Sequence, residues 1–306
     1  MPVSSPRPTS TPTSRSTSRS TGLSAGLAAR ALAVLLLAVV AAGAVGAAPA
    51  AAAAGSPARA TWVWGRPAPG PLVTWATKQR VGELFVAVPR SLGTSADLAW
   101  VTDLSRRAHR AGIRVAALGS ATEWVDRPAE AVAWQRDALA TGLFDGVHLD
   151  VEPWLHPAWD TDRAGVVAGY LALLDQVGAA TALPVEVDVA WWLHTVDSAE
   201  GPLDAAVARR VDRMTAMTYR DTVTGTDSIT DLGRQVLATA AAAGVPCRLA
   251  VETRFLGTDP VSQKQTFWGQ GPTVLSRALA GVDAALAGHP AYAGTAVHDE
   301  AGWRAL

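Results

Sequence analysis

The chain has 306 residues, 49% of them hydrophobic and 17% charged, with 26 Lys and Arg residues against 27 Asp and Glu residues. This balance lacks the basic footprint of a nucleic-acid-binding protein, so we expect no nucleic-acid partner. The single cysteine, Cys247, excludes an internal disulfide, and we expect a small buried residue there rather than a thiol nucleophile.

The first 54 residues differ in composition from the rest. Residues 1–30 are rich in Ser, Thr, Pro and Arg, residues 31–45 are continuously apolar, and a stretch of small residues follows. This order is typical of an export signal, so we predict cleavage near Ala54 and a secreted protein. An uncleaved membrane anchor is the alternative, but the apolar run is shorter than the about 20 residues of a full span.

Residues 55–306 have the usual length of one barrel domain. Short apolar runs recur along them, separated by segments with helical patterning, which is typical of repeated strand–helix units around a parallel sheet. The eight predicted strands are Thr61–Trp64, Glu83–Val88, Ile113–Leu118, Gly146–Val151, Val185–Trp191, Arg213–Tyr219, Arg248–Glu252 and Gly294–His298.

Helix-start and helix-stop residues punctuate the segments between the strands. The predicted helices are Leu72 to Arg80, Thr94/Ser95 to Ala111, Pro128 to Gly142, Asp160 to Ala180, Ser228 to Ala243, and Pro272 to Ala287. Only eight residues follow His298, so the final helix is expected to be short or missing. We predict an α/β protein with a single (β/α)₈ TIM barrel. An open doubly wound sheet is less consistent with the sequence, because no Gly-rich loop follows the first strand.

The active site of such a barrel lies at the C-terminal ends of its strands. In the fourth strand, His148, Asp150 and Glu152 alternate with apolar residues and therefore share one face, which we expect to point into the barrel. Burying ionisable groups is costly unless they are paired, so this row is a candidate functional site. The alternative is a buried ion network around His148 that only fixes the fold.

Polar residues also occupy the inward positions or ends of other strands. They are Glu83, Glu186, Asp188, Tyr219, Glu252, His298 and Glu300.

The segment FDGVHLDVEP resembles the fourth-strand signature of family 18 glycoside hydrolases, the chitinase-like enzymes, which reads D-G-x-D-x-D-x-E. Asp145, Gly146, Asp150 and Glu152 match it, whereas His148 stands where the family has its middle Asp. The resemblance implies a TIM barrel that hydrolyses glycosidic bonds.

The sixth-strand segment MTYRD resembles the family's M-x-Y-D motif. Met217 and Tyr219 match, Arg220 replaces the Asp, and Asp221 comes one residue later. The family's Trp at the end of the eighth strand is missing, and Trp303 lies further on. The resemblance is therefore that of a divergent relative.

The resemblance implies a role for three residues. Glu152 would be the general acid that protonates the leaving sugar oxygen, and Asp150 would stabilise the 2-acetamido group that acts as nucleophile. Tyr219 would hydrogen-bond the same group. His148 leaves the middle Asp's role open, since a neutral imidazole could share a hydrogen bond with Asp150 and a charged one would hold it as carboxylate.

A second scheme pairs Glu152 with Glu252 as the acid/base and nucleophile of a retaining glycosidase whose substrate needs no 2-acetamido group. Such enzymes usually have Asn before the first Glu, where this chain has Val151. Alternatively, Glu252 forms a salt bridge with Arg254 or Arg220.

The chain has 12 Trp but only 3 Tyr and 4 Phe. Several Trp follow strands, and indole faces stack on sugar rings as well as filling cores. Trp154, two residues past Glu152, is the strongest candidate for ligand contact. The residues predicted to bind substrate are His148, Trp154, Trp191, Asp188, Arg220 and His298.

We expect no cofactor and no metal. His148, Asp150, His298 and Asp299 could converge as metal ligands, but no close-spaced ligand motif supports this.

The sequence thus predicts a secreted, monomeric glycoside hydrolase-like protein acting on a cell-wall or environmental glycan. Two alternatives stay open. One is a sugar-binding barrel that has lost catalysis, which is favoured by the departures from the motifs at His148 and Arg220. The other is an enzyme of another class that uses the same barrel mouth.

Overall fold

The structure is a computed structural model that describes residues 58–306. Eight parallel strands form a closed barrel in which each strand pairs with the strand next to it in sequence. The strands are Arg59–Val63, Val81–Ala87, Arg114–Gly119, Gly146–Leu149, Val185–Ala190, Arg213–Met217, Cys247–Glu252 and Tyr292–His298. The first and eighth strands close the barrel through the pairs Ala60–Ala296 and Thr61–Val297. The predicted (β/α)₈ barrel is confirmed. The predicted export signal lies outside the described residues.

Five strands end one or two residues earlier than predicted, among them the fourth, fifth and sixth. The fourth strand ends at Leu149 because its neighbour, the third strand, ends at the opposite residue, Gly119. The fifth and sixth strands likewise stop at their last mutual pair, Ala190 with Met217. Asp150, Glu152 and Tyr219 therefore lie just beyond the strands, where the chain leaves the barrel.

The α-helices of the described part follow the strands around the barrel. Their bounds are Pro69–Lys78, Leu98–Arg110, Pro128–Ala140, Arg163–Ala179, Leu203–Ala208, Ile229–Ala243, Pro260–Lys264, Pro272–Ala285 and Glu300–Ala305. The final helix is short, as predicted, and the Asp299 carboxylate caps it by accepting the Gly302 N–H. No helix within residues 58–306 has the length and apolarity needed to cross a membrane.

Two features of the helices differ from the sequence prediction. The predicted cap at Thr94/Ser95 is wrong: residues Leu92–Thr94 form a 3₁₀ turn, and the helix begins at Leu98. The fifth strand–helix connection was not predicted, and it contains a hairpin of residues 197–202 before the helix Leu203–Ala208. Both segments are too short to give a helical periodicity in the sequence.

The apolar residues form two separate layers. The larger layer lies between the strands and the helices and includes Val147, Leu149 and Val151 of the fourth strand. The smaller layer fills the barrel interior with large residues, Trp62, Phe85 and Leu118, packed among four alanines. Those alanines are Ala60, Ala116, Ala250 and Ala296. Their small side chains leave room across the barrel axis for the rings of Trp62 and Phe85, which lie 5.2 Å apart edge to face.

The base of the barrel, at the N-terminal ends of the strands, carries a buried ion network. Arg248 donates to both oxygens of Glu186, at 2.5 and 2.6 Å, and to Glu83 at 2.6 Å. Glu83 also accepts from Arg213 at 3.1 Å. Burial alone would raise the pKa of Glu186, but Arg248 outweighs it and holds this pKa at about 2. The carboxylate therefore stabilises the fold above its unfolded pKa, and this contribution is lost as the pH falls toward about 2.

Arg248→Met should lower the free energy of unfolding by about 3–5 kcal/mol, because it leaves two buried carboxylates without their shared cation. Urea denaturation of the purified protein measures the change. The matched control is Arg234→Met, which removes an exposed pair with Asp231 and should cost less than about 1 kcal/mol. Equal losses in the two variants would contradict a stabilising role for the base network.

Candidate active site

Above the base network, Asp188 of the fifth strand lies at the centre of the barrel. Its Oδ2 accepts hydrogen bonds from the indole N–H of Trp62 at 3.0 Å and from His148 Nε2 at 2.9 Å. The His148 ring stacks on Phe85 with centroids 3.7 Å apart. The three residues around Asp188 come from three different strands, so the carboxylate holds the barrel interior together.

His148 and Asp188 were predicted to bind substrate, but the structure buries both of them. His148 is 0% exposed and Asp188 is 2% exposed, so a ligand at the barrel mouth contacts neither. Burial disfavours protonation of His148, but the Asp188 carboxylate outweighs it and raises the pKa of His148. Both residues lie one layer below the mouth and act on it electrostatically.

The mouth holds two carboxyl groups, Asp150 and Glu152, whose electrostatics are coupled to Asp188. Burial raises the pKa of Asp150 well above its ordinary value, and the negative charges of Asp188 and Glu152 raise it further. Burial and the charge of Asp188 also raise the pKa of Glu152, while a hydrogen-bonding interaction with the Trp154 side chain acts in the opposite direction. Both side chains are only partly buried, so solvent can reach the two carboxyl groups although their pKa values are raised.

Tyr219 lies at the mouth, two residues past the end of the sixth strand. Its pKa is raised well above the ordinary value by burial and by four carboxylates, of which Glu252 acts most strongly. Its ring lies 6.2 Å from the His298 ring. The hydroxyl therefore stays protonated and can donate a hydrogen bond at the mouth.

His298 closes the mouth between Trp64 and Glu252. Trp64 donates its indole N–H to His298 Nε2 at 3.1 Å, and His298 Nδ1 lies 2.8 Å from Glu252 Oε2. Because Nε2 is the acceptor, the ring hydrogen is on Nδ1 and is donated to Glu252. Burial disfavours the imidazolium, but the bond to Glu252 outweighs it and raises the pKa of His298.

The predicted salt bridge of Glu252 with Arg254 or Arg220 is wrong. The Glu252 Oε1 atom accepts the backbone N–H groups of Thr253 and Arg254, each at 2.7 Å. The guanidinium of Arg254 binds Asp299 instead, at 3.1 Å. Glu252 is thus occupied by three donors, and its side chain is 4% exposed.

Arg220 was predicted to bind substrate, but its side chain is held by contacts in the loop after the sixth strand. Its guanidinium binds Asp227 at 2.6 Å and the Tyr219 carbonyl at 2.7 Å. These bonds hold it in the loop after the sixth strand, where its charge is paired. Arg220 is therefore not brought together with the carboxyl groups of the mouth.

Tryptophans line the rim beyond Glu152. Trp154 packs against Trp192 with ring centroids 5.3 Å apart, and Trp192 lies 6.5 Å from Trp159. Trp154, Trp191 and Trp192 are half-buried. Trp154 and Trp191 thus keep part of their surface exposed, and their contact with a ligand stays a prediction.

Within residues 58–306, no group of three or more His, Cys, Asp and Glu side chains is arranged to hold a metal ion. His148 and His298 are each hydrogen-bonded to a carboxylate, and Asp299 caps the final helix. The hypothesis of a metal site built on these residues is thus unsupported. Cys247 is buried, and burial raises the pKa of its thiol to about 12, so it is not a nucleophile.

Trp62, Phe85 and Trp64 were not predicted as site residues. The spacing of the two tryptophans could have identified them: Trp62 and Trp64 are two residues apart at the end of the first strand, so they share the face that points into the barrel. Phe85 lies two residues past Glu83 in the second strand and shares its inward face. Large aromatic residues at inward positions of the first two strands therefore indicate an aromatic cluster in the barrel interior, against which His148 packs.

No protein-family model matches the sequence, and no curated protein matches it either. Solved structures do resemble the fold. A chitinase from Chromobacterium violaceum ATCC 12472 is 14% identical, with 81% of this chain and 97% of that chain covered at a TM-score of 0.51. The spore cortex-lytic enzyme SleL from Bacillus megaterium QM B1551 is 12% identical, with 81% and 73% covered at a TM-score of 0.50.

The class that the fold defines is a single (β/α)₈ TIM barrel. More particularly, its architecture is similar to that of these two solved structures, a chitinase and a spore cortex-lytic enzyme, at 14% and 12% sequence identity.

Trp62→Phe should destabilise the protein by about 1 kcal/mol more than Trp134→Phe. Both are buried tryptophans that lose an indole hydrogen bond, but Trp62 donates to a carboxylate and Trp134 to the Val88 carbonyl. Hydrogen bonds to charged groups contribute more than those to neutral groups. Thermal and urea unfolding of the two variants give the comparison, and a smaller loss at Trp62 would show that Asp188 does not depend on this donor.

Proposed function

We propose that the chain is a secreted glycoside hydrolase in which Glu152 is the general acid. The observation that carries this proposal is the state of Glu152: its side chain reaches the mouth, and its pKa is raised by burial and by Asp188. A general acid has to keep its proton near the working pH and still touch the leaving group, and the raised pKa and partial exposure of Glu152 support this role.

The proposed substrate is a glycan whose sugars bear a 2-acetamido group. Asp150 and Tyr219 support this choice, since both match the motif positions that handle this group in chitinase-like enzymes and both lie at the mouth with Glu152. The two structural neighbours are a chitinase and a spore cortex-lytic enzyme.

In the proposed reaction, Glu152 donates its proton to the glycosidic oxygen as the bond to the anomeric carbon breaks. The acetamido carbonyl oxygen attacks the same carbon, while Asp150 binds the acetamido N–H and Tyr219 donates its O–H to this group. Water then attacks the anomeric carbon and gives a proton to Glu152, which is now a carboxylate. The carbonyl oxygen leaves, and the enzyme returns to its first state.

Asp188 and His148 replace the middle Asp of the chitinase-like motif in this proposal. The carboxylate that the fourth strand lacks is supplied by the neighbouring fifth strand, and His148 fixes it from below at 2.9 Å. The Oδ1 atom of Asp188 is buried and accepts no hydrogen bond from the described residues. It is therefore available to accept a hydrogen bond from Asp150, whose pKa the charge of Asp188 raises.

The Glu152/Glu252 scheme has less support from the geometry. A nucleophilic carboxylate needs an oxygen open to the substrate, whereas the Glu252 side chain is buried and already accepts three hydrogen bonds. We infer that Glu252 positions His298, whose ring in turn orients Trp64 at the mouth.

Glu152→Gln should reduce turnover by about 10²–10⁴-fold while the protein stays folded, because Gln cannot donate a proton to the leaving oxygen. The assay is hydrolysis of aryl glycosides and polysaccharides with and without 2-acetamido groups. The control is Glu123→Gln, which changes a half-exposed carboxylate near Arg90.

A Glu152→Gln variant with the rate of the wild type would remove Glu152 from the mechanism. If neither protein hydrolyses any glycan but both bind one saturably, the chain is a sugar-binding barrel without catalysis.

Asp188→Asn should shift the basic limb of the pH–rate profile to lower pH. Activity requires protonated Glu152 and therefore falls as the pH rises through its raised pKa; removing the charge of Asp188 lowers that pKa. The control is Asp227→Asn, which removes a carboxylate outside the mouth. Circular dichroism establishes that both variants are folded, and an unshifted limb in Asp188→Asn would argue against this coupling.

A further inference from the structure

Exposed apolar side chains are concentrated in one loop of the described residues. Seven large hydrophobic side chains are exposed in residues 58–306 as a whole, and four of them lie in the segment after the seventh strand: Phe255, Leu256, Val261 and Trp268. Phe255 is 55% exposed and Trp268 49% exposed, and their rings form an edge-to-face pair with centroids 6.0 Å apart. We call residues 253–271 the seventh loop.

Hydrogen bonds to the seventh strand hold the seventh loop in place. The Phe267 N–H donates to the Glu252 carbonyl at 2.9 Å, and Thr266 pairs with Glu252 as an isolated parallel bridge. The Thr266 hydroxyl donates to the Arg254 carbonyl at 2.7 Å. Phe267, which precedes Trp268, is fully buried. The exposed rings are therefore displayed by an anchored backbone.

A cavity of about 650 Å³ lies between the two rings and the polar residues around them. This volume is within the range of small-molecule sites. Its walls combine Phe255 and Trp268 with the side chains of Asp221, Gln263 and Gln270. Gln270 donates its amide to Asp221 at 3.0 Å, which places an amide and a carboxylate together on one wall.

The charges around the cavity favour a neutral ligand. Lys264 is a cation on its wall, and it is paired with Asp227 at 2.6 Å. Asp221 is a carboxylate whose partner is the neutral amide of Gln270, so the wall as a whole does not attract anions. Anionic membranes, nucleic acids and acidic glycans are thus poor occupants. Aromatic faces beside amide and carboxylate groups suit the apolar faces and hydroxyls of a sugar ring.

The position of the cavity connects it to the proposed cleavage point. The seventh loop begins directly after Glu252, which binds His298 at the mouth, and Asp221 comes two residues after Tyr219. The Asp221 N–H also donates to the Lys264 carbonyl at 3.0 Å, which ties the two loops together. A glycan chain lying across the mouth on the side of the sixth and seventh strands would reach the two rings.

We propose that this cavity is a binding site for a neutral sugar unit of the glycan, distant from the bond that is cleaved. The proposal rests on the proposed function for the identity of the chain that fills it. It makes the mouth part of an extended groove, in which Phe255 and Trp268 hold a unit that takes no part in the reaction.

The test is calorimetric binding of neutral oligosaccharides to the full chain carrying Glu152→Gln. The probes are the dimers and hexamers of β-1,4-linked N-acetylglucosamine, glucose and xylose. Adding Trp268→Ala or Phe255→Ala should weaken hexamer binding by roughly tenfold and leave dimer binding unchanged. The matched control is Leu183→Ala, which removes an exposed apolar side chain that is 37% exposed and outside the loop.

Hydrolysis by the otherwise wild-type chain separates this proposal from the proposed function. Trp268→Ala should raise KM for the hexamer and leave hydrolysis of an aryl glycoside unchanged. Unaltered hexamer binding in both loop variants, or no binding of any hexamer, overturns the sugar site whether or not the protein is a hydrolase. Self-association that Trp268→Ala abolishes, measured by sedimentation, also overturns it, because a second copy would then cover the rings.

Discussion

One buried carboxylate determines the arrangement of the barrel interior. Asp188 lies at the level where rings from three strands meet, and its Oδ2 is shared by an indole and an imidazole. A buried charge without such donors would cost several kcal/mol, so Trp62 and His148 have to remain where they are. The alanines around them provide the space, and Phe85 stacks on the imidazole because that space is narrow.

The same carboxylate sets the chemistry of the layer above it. Its negative charge is a common cause of the raised pKa values of Asp150 and Glu152, so protons are retained at the mouth by a group that solvent does not reach. On the other side of the mouth, Glu252 plays the corresponding part for His298 through a single short hydrogen bond. Each group that faces solvent is thus controlled by a buried partner on a neighbouring strand.

The sequence was sufficient to predict the barrel and the inward face of the fourth strand. Alternation with a period of two separates Val147, Leu149 and Val151 from His148, and the structure has the same separation. Local pattern could not show which inward residues are partners. Trp62 and Asp188 are 126 residues apart, and their contact depends on how the closed barrel sets strands one and five across its axis. The contacts of Arg220 could not be predicted from local pattern either, since its guanidinium binds Asp227 in the following loop.

The barrel has two ends with opposite electrostatic character, and this bears on how the molecule can be altered. At the base, the carboxylates of Glu83 and Glu186 are balanced by the guanidinium groups of Arg248 and Arg213 in one network. At the mouth, the carboxyl groups depend on an unbalanced negative charge below them. The rings of Trp62 and Phe85 lie between the two networks, but the charge of Glu186 at the base still contributes to the raised pKa of His148 across this layer. A substitution at the base that is made to change thermal stability therefore also changes the electrostatic environment of His148 beneath the mouth, so the two ends of the barrel cannot be tuned separately.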